Sequence, residues 1–229
     1  MFLPVPIIVL AQAKTPKPPA PKPPVYASKE ARRITQSAIA KYDRLRSVIF
    51  EVVDETGEKH VIALDRKLAK ESGPKYAWSF DGVTLAILDK GKARYYSGKG
   101  AGGNISTYLG RAGTRMDPTA RALYRRLNPV KLLVKPGSTV RRKGSVVLGG
   151  KKCQVIEVRR KDLRLTMLVR PDGLLQQTTT EAFKGRTRVL RAQRDFKYLA
   201  VNTKIGRSSF ALNRPAGVKA MPLSALPKR

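Results

Sequence analysis

Between Cys153 and Glu181 apolar and polar side chains alternate with a period of two. Leu163, Leu165, Met167 and Val169 are interleaved with Arg164, Thr166, Leu168 and Arg170. On a strand this puts the large apolar groups on one face and mostly polar ones on the other. Arg160-Lys161-Asp162 and Pro171-Asp172-Gly173 carry turn chemistry between the runs, which predicts a three-stranded meander. The first half follows the same period. Val48, Phe50 and Val52 share a face, and Thr56-Gly57 turns into Lys59–Asp65, where Ile62 and Leu64 share one. Tyr76, Trp78 and Phe80 alternate before the turn at Asp81-Gly82, and Val83–Leu88 returns through Asp89–Lys92 into Ala93–Tyr96. Ser145–Leu148 leads through Gly149-Gly150 into the meander, and Arg186–Tyr198 after it reads as one long strand. Val201–Gly217 is the last ordered-looking piece, and the tail from Met221 is expected to fray.

The period changes to three and four only twice. Ser28 stands as an N-cap before Ala31, Ile34, Ala38, Tyr42 and Leu45, which predicts a helix over about 29–45. Asp117-Pro118 opens a second helix expected to run through Leu127 and to stop at Asn128-Pro129. A shorter helical or irregular segment over Val130–Val134 precedes Pro136-Gly137. One helix, a run of hairpins, a helical excursion and a second run of hairpins predict an α+β fold. It is a large curved antiparallel sheet, an unclosed β-barrel, capped by an N-terminal and a mid-chain helix.

Residues 1–13 are apolar and end in Ala11-Gln12-Ala13, the small-x-small pattern of a signal-peptidase site. The stretch falls short of the roughly 20 apolar residues of a membrane span. Export to a periplasmic or other extracytoplasmic compartment is expected, although no basic residue precedes the apolar run. Residues 14–26 form a Pro/Lys-rich linker with polyproline character, 27–222 the folded domain, and 223–229 a tail.

Charge alters this picture more than overall composition does. The formal net charge is +31. Residues 1–90 hold fifteen basic and ten acidic side chains, and 91–229 hold thirty-two and six, so the second part attracts polyanions. Single cysteine and histidine residues, Cys153 and His60, exclude an intrachain disulfide and a thiolate metal cluster. His60 lacks a cysteine or second histidine partner and reads as a packing or surface residue. Gly98–Gly103 lacks the spacing of a phosphate-binding loop. No carboxylate pair or Ser–His arrangement stands at a telling spacing. The expectations are therefore no enzyme activity, no catalytic residues, no cofactor and no metal.

Several segments together resemble the outer-membrane lipoprotein carrier (LolA/LolB-like) superfamily over about residues 27–220. They are FDGVTLAILDKGKARYY, ARALYRRLNPVKLL, the set from CQVIEVRR to LTMLVRPDGLLQQ, and VNTKIGRSSFALNRPAGVKA. The sharpest pieces are Phe80-Asp81-Gly82, Asp172-Gly173-Leu174-Leu175 and the closing Asn202…Ser209-Phe210…Pro215-Ala216-Gly217. The resemblance implies an exported, non-enzymatic half-barrel holding lipid or lipoprotein acyl chains in its concave face. The ligand-binding residues expected there are Phe50, Trp78, Phe80, Leu165, Met167 and Phe196. Each buried methylene would contribute about 0.8 kcal/mol. The basic surface, with Arg159, Arg160, Arg164 and Arg170 as a solvated outer face, would meet anionic membrane. A monomer is expected. The competing readings are a nucleic-acid- or polyanion-binding module, disfavoured by the export pattern and the lack of a reading motif, and an envelope stress-sensing or scaffold domain.

Overall fold

The computed structural model describes residues 22–65, 68–89, 92–97, 105–111, 116–210 and 216–226. The apolar stretch 1–13, most of the linker, the Gly98–Gly103 run and part of the closing motif at 211–215 lie outside the described residues. The chain forms two antiparallel meanders. The first contains β2 (Ser47–Asp54), β3 (Lys59–Asp65), β4 (Leu68–Ser72), β5 (Tyr76–Phe80), β6 (Thr84–Asp89) and β7 (Lys92–Ser97). The second contains β8 (Thr139–Leu148), β9 (Lys151–Arg160), β10 (Leu163–Val169), β11 (Leu175–Lys184) and β12 (Thr187–Val201). β12 pairs with β2, matching Phe196 to Val52 and Tyr198 to Phe50, and this fuses the meanders into one sheet. Two short parallel strands, β1 (Val25–Tyr26) against β8 and β13 (Met221–Pro222) against β7, complete a thirteen-stranded unclosed sheet.

Among the described residues four α-helices lie over the sheet: α1 (Lys29–Asp43), α2 (Ile105–Arg111), α3 (Pro118–Tyr124) and α4 (Pro129–Leu133). Ser28 caps α1 by accepting the Ala31 N–H at 3.1 Å, and Ala31, Ile34, Thr35, Ala38 and Tyr42 form its buried stripe. Asn128 ends the preceding turn and also caps α4. Its Oδ1 accepts from the Val130 and Lys131 N–H groups, while its Nδ2 donates to Ile39 O at 2.8 Å and Asp43 Oδ1 at 2.9 Å. One amide thereby ties α4 to α1.

Four local expectations change. α3 ends three residues before Leu127 because Arg126 enters the left-handed region at φ 55°. The N–H of Leu127 then donates to Ala122 O and that of Arg126 to Leu123 O, a Schellman closure. β4 has little apolar content and its inner positions are Ala69 and a buried Glu71, so its periodicity is hidden. β8 begins at Thr139, six residues earlier than Ser145, with Val140 fully buried among basic neighbours. Part of the expected loose tail is docked instead: β13 hydrogen-bonds to β7, and Leu226 is buried in the core.

Candidate functional site between sheet and helices

Alternation along each strand delivers the site. Val48, Phe50 and Val52 of β2, Trp78 and Phe80 of β5, Leu165 and Met167 of β10, and Phe196 of β12 are all buried on the inner face. Phe50 lies 6.2 Å from Phe196 and 5.8 Å from Tyr198, centroid to centroid. β10 and β5 stand six strand spacings apart, about 29 Å along a flat sheet. Even so, all six candidate ligand residues belong to one continuous buried cluster with Ile34 and Tyr42 of α1, Ile105 and Leu109 of α2, Tyr124 of α3 and Val130 of α4. The helical layer shares one core with them, and in this state the six side chains are buried.

Open space lies at the seams. One cavity of about 400 Å³ is walled by Tyr42, Leu45, Val48, Leu64, Leu123 and Leu127, at the end of the Val48–Phe50–Val52 row. A groove of about 670 Å³ adjoins it and shares Arg46, Ser47 and Arg126 with it. Both volumes fall in the range of small-molecule sites. Phe50, Trp78, Phe80, Leu165, Met167 and Phe196 do not line either space. The sequence reading missed the two arginines because nothing in the periodicity marks them.

A third cavity, about 460 Å³, is polar and includes His60, Glu71, Tyr76, Asp117, Arg121 and Arg194 in its wall. Glu71 is 1% exposed, and burial pushes its carboxyl up to about 7 against the pull of the Tyr76 hydroxyl, which donates to Oε1 at 2.9 Å. The Asp117 N–H donates to Glu71 Oε2 at 3.3 Å. Burial also raises Asp117, which pairs with Arg194 at 3.2 Å. His60 Nδ1 lies 3.3 Å from Glu71 Oε1 but outside hydrogen-bonding geometry. Asp54, Glu58 and His60 offer ligand atoms within 4.8 Å of one another. However, Lys75 holds Glu58, and Asp54 Oδ1 accepts the N–H groups of Thr56 and Glu58 and the Thr56 hydroxyl. These donors serve the β2–β3 turn.

The four arginines expected on a solvated outer face are tied to neighbours. Arg159 donates to Glu157, Arg160 to Ser138 Oγ and Leu133 O, Arg164 to Glu181, and Arg170 to Asp172 beneath the Tyr198 ring. Exposed basic groups gather instead at hairpin tips, as Lys151 and Lys152 and as Lys184, Arg186, Arg188 and Arg191. Residues 187–191 of β12 are exposed in succession, so neither face of that tip is covered.

No family model matches the sequence, and no curated protein matches it. Among solved structures, the chain is similar to the Mycobacterium tuberculosis lipoprotein LppX, with 12% identity and a TM-score of 0.50 over 78% of this chain and 99% of that one. It is also similar to LprF from Mycobacterium bovis, with 11% identity and a TM-score of 0.45 over 78% and 96%. A third similarity is to MucB, with 15% identity and a TM-score of 0.46 over 86% of this chain and 66% of that one. The likeness to LppX shows the fold, an open half-barrel sheet roofed by helices, and at these identities nothing finer.

Proposed function

We propose that the protein is an exported, non-enzymatic binding protein holding lipid or lipoprotein acyl chains between the concave sheet face and its helices. The observation that carries this reading is a single apolar layer spanning the inner face from β9 to β7, roofed by helices of which three have seven residues or fewer. Such short helices contribute little stability of their own and stay in place through their buried faces. A chain entering the 400 Å³ cavity meets Val48 and then Phe50, and could replace helix contacts with its own methylenes at about 0.8 kcal/mol each. Phe50, Trp78, Phe80, Leu165, Met167 and Phe196 would then line the occupied state. The apolar residues 1–13 would serve as the export signal and 14–26 as a spacer, and the basic hairpin tips would favour anionic membrane.

The test is solvent extraction of the purified protein with mass spectrometry of the extract, alongside titration with a fluorescent fatty acid. Co-purified lipid or saturable binding is expected, with a change in the emission of Trp78, the one tryptophan. An empty protein that also ignores the fatty acid would remove the reading. Tight, steeply salt-dependent binding to duplex DNA without any lipid binding would favour the nucleic-acid alternative.

A further inference from the structure

Among the described residues, two that are not glycine adopt a left-handed backbone, Arg126 at φ 55° and Asn202 at φ 56°. Both line the same 670 Å³ groove. Asn tolerates this conformation, and Asn202 uses it to join two segments. Its N–H donates to Ser47 O at 2.8 Å, its Oδ1 accepts the Arg46 N–H at 2.8 Å, and Ser47 Oγ donates to Thr203 O at 2.6 Å. That stitching sets the groove wall and positions Arg46. Arg126 is the unusual one. It occupies the position after α3 where a Schellman closure most often takes glycine, and a Cβ there is strained. The strain is tolerated at a residue that borders both the groove and the adjoining cavity, and strain of this kind collects at ligand sites.

Charge indicates what the groove would hold. Its wall includes Arg46, Arg126, Lys204 and Arg207 against one carboxylate, Asp65, with Leu68 and Ile205 as apolar floor. The adjoining cavity has a mixed wall, with Tyr42, Leu45, Val48, Leu64 and Leu123 beside Asp43 and Asn128. A cationic groove therefore adjoins a partly apolar cavity, with Arg46 and Arg126 at the shared boundary. We propose that this pair of spaces is the site for an anionic amphiphile, its carboxylate or phosphate held by Arg46 and Arg126 and its aliphatic tail running past Val48 towards Phe50. This deepens the acyl-binding reading and rests on it: the tail supplies most of the affinity, and the arginines supply the choice of head group.

The experiment titrates the full chain with three probes of one chain length: oleate, oleoyl lysophosphatidate and neutral mono-oleoylglycerol, with inorganic phosphate as competitor. The two anionic probes are expected to bind at least about tenfold more tightly than the neutral one, the ratio expected for one charge-assisted hydrogen bond. The tighter of the two identifies the head group as carboxylate or phosphate. Arg126→Gly is the sharper variant because it also relieves the left-handed strain. It is expected to raise Tm by roughly 2–4 °C while losing most of the anionic preference, a combination that a purely structural arginine would not give. Arg46→Gln should lose the preference with neutral-probe binding kept. Equal binding of charged and neutral probes overturns the head-group site but leaves acyl binding standing. So does an unchanged preference in Arg126→Gly, whereas displacement of lysophosphatidate by inorganic phosphate alone would show that the tail adds little and overturn the amphiphile. Failure of all three probes overturns the acyl-binding reading beneath it.

Discussion

Replacing Glu71 with Gln should make the protein more stable at neutral and alkaline pH. Glu71 is 1% exposed, and its carboxyl titrates at about 7 instead of the ordinary 4.5 because burial disfavours the charge. Between those two values the folded protein holds a proton that the unfolded chain has released. This contribution to stability is complete below about pH 4.5 and is lost as pH rises through about 7. The gap of about 2.5 pKa units corresponds to about 3 kcal/mol at 1.36 kcal/mol per unit. Gln imitates the protonated acid: its carbonyl can accept the Asp117 N–H, and its amide can donate towards Tyr76 Oη and His60 Nδ1. At about pH 8 Glu71→Gln should therefore exceed wild type by up to about 3 kcal/mol, with the two converging below about pH 4.5. Urea unfolding followed by Trp78 emission reads both curves. Their difference isolates the carboxyl from Asp117, Arg194 and His60, which face the same cavity. A difference that stays constant from about pH 5 to pH 8 would refute the reasoning.

Three further outcomes follow from packing and capping. Gly73→Ala would place a Cβ 2.4 Å from His60 Nδ1 and should lower stability by roughly 1–3 kcal/mol, seen as a reduced Tm. Asn128→Ala removes the α4 cap and strands the Val130 and Lys131 N–H groups, which should cost about 2 kcal/mol in urea unfolding and loosen α4 in hydrogen exchange. Phe196→Ala empties a fully buried site beside Phe50 and should cost about 3–5 kcal/mol in the same measurement; a loss below about 1 kcal/mol would contradict the packed layer described for the inner face.

The architecture was legible wherever one face of an element is buried and the other wet. Val48, Phe50 and Val52, or Leu165 and Met167, announce their strands because alternation is the direct trace of one-sided burial. β4 escaped detection because its inner face carries Ala69 and a buried carboxylate, so the property that makes Glu71 interesting also erased the pattern. The six aromatic and aliphatic site residues were identifiable as inward-facing. Periodicity reports orientation, however, and whether a helix or a ligand covers the face depends on tertiary packing. Arg46 and Arg126 were invisible for a different reason. Their position follows from a left-handed helix end and from a contact between residues 156 apart, Arg46 and Asn202, and neither leaves a local signature. The same limit applied to Arg160 and Arg164: as outward residues they read as free charge, while their partners lie before β8 and on β11, whereas Arg159 and Arg170 pair with Glu157 and Asp172 only two residues away.

The two parallel strips at the rims of the sheet bear on how many molecules can associate. An open sheet of this width ends in two ladders of donors and acceptors able to recruit a strand from another copy. Val25 and Tyr26 occupy that ladder at Thr139 and Val140, and Met221 and Pro222 occupy it at Tyr96 and Ser97. The proline cannot donate a ladder hydrogen bond, so β13 is a poor template for further growth. Segments flanking the two meanders thus cover two positions on each rim strand, and the +31 charge opposes self-association at longer range.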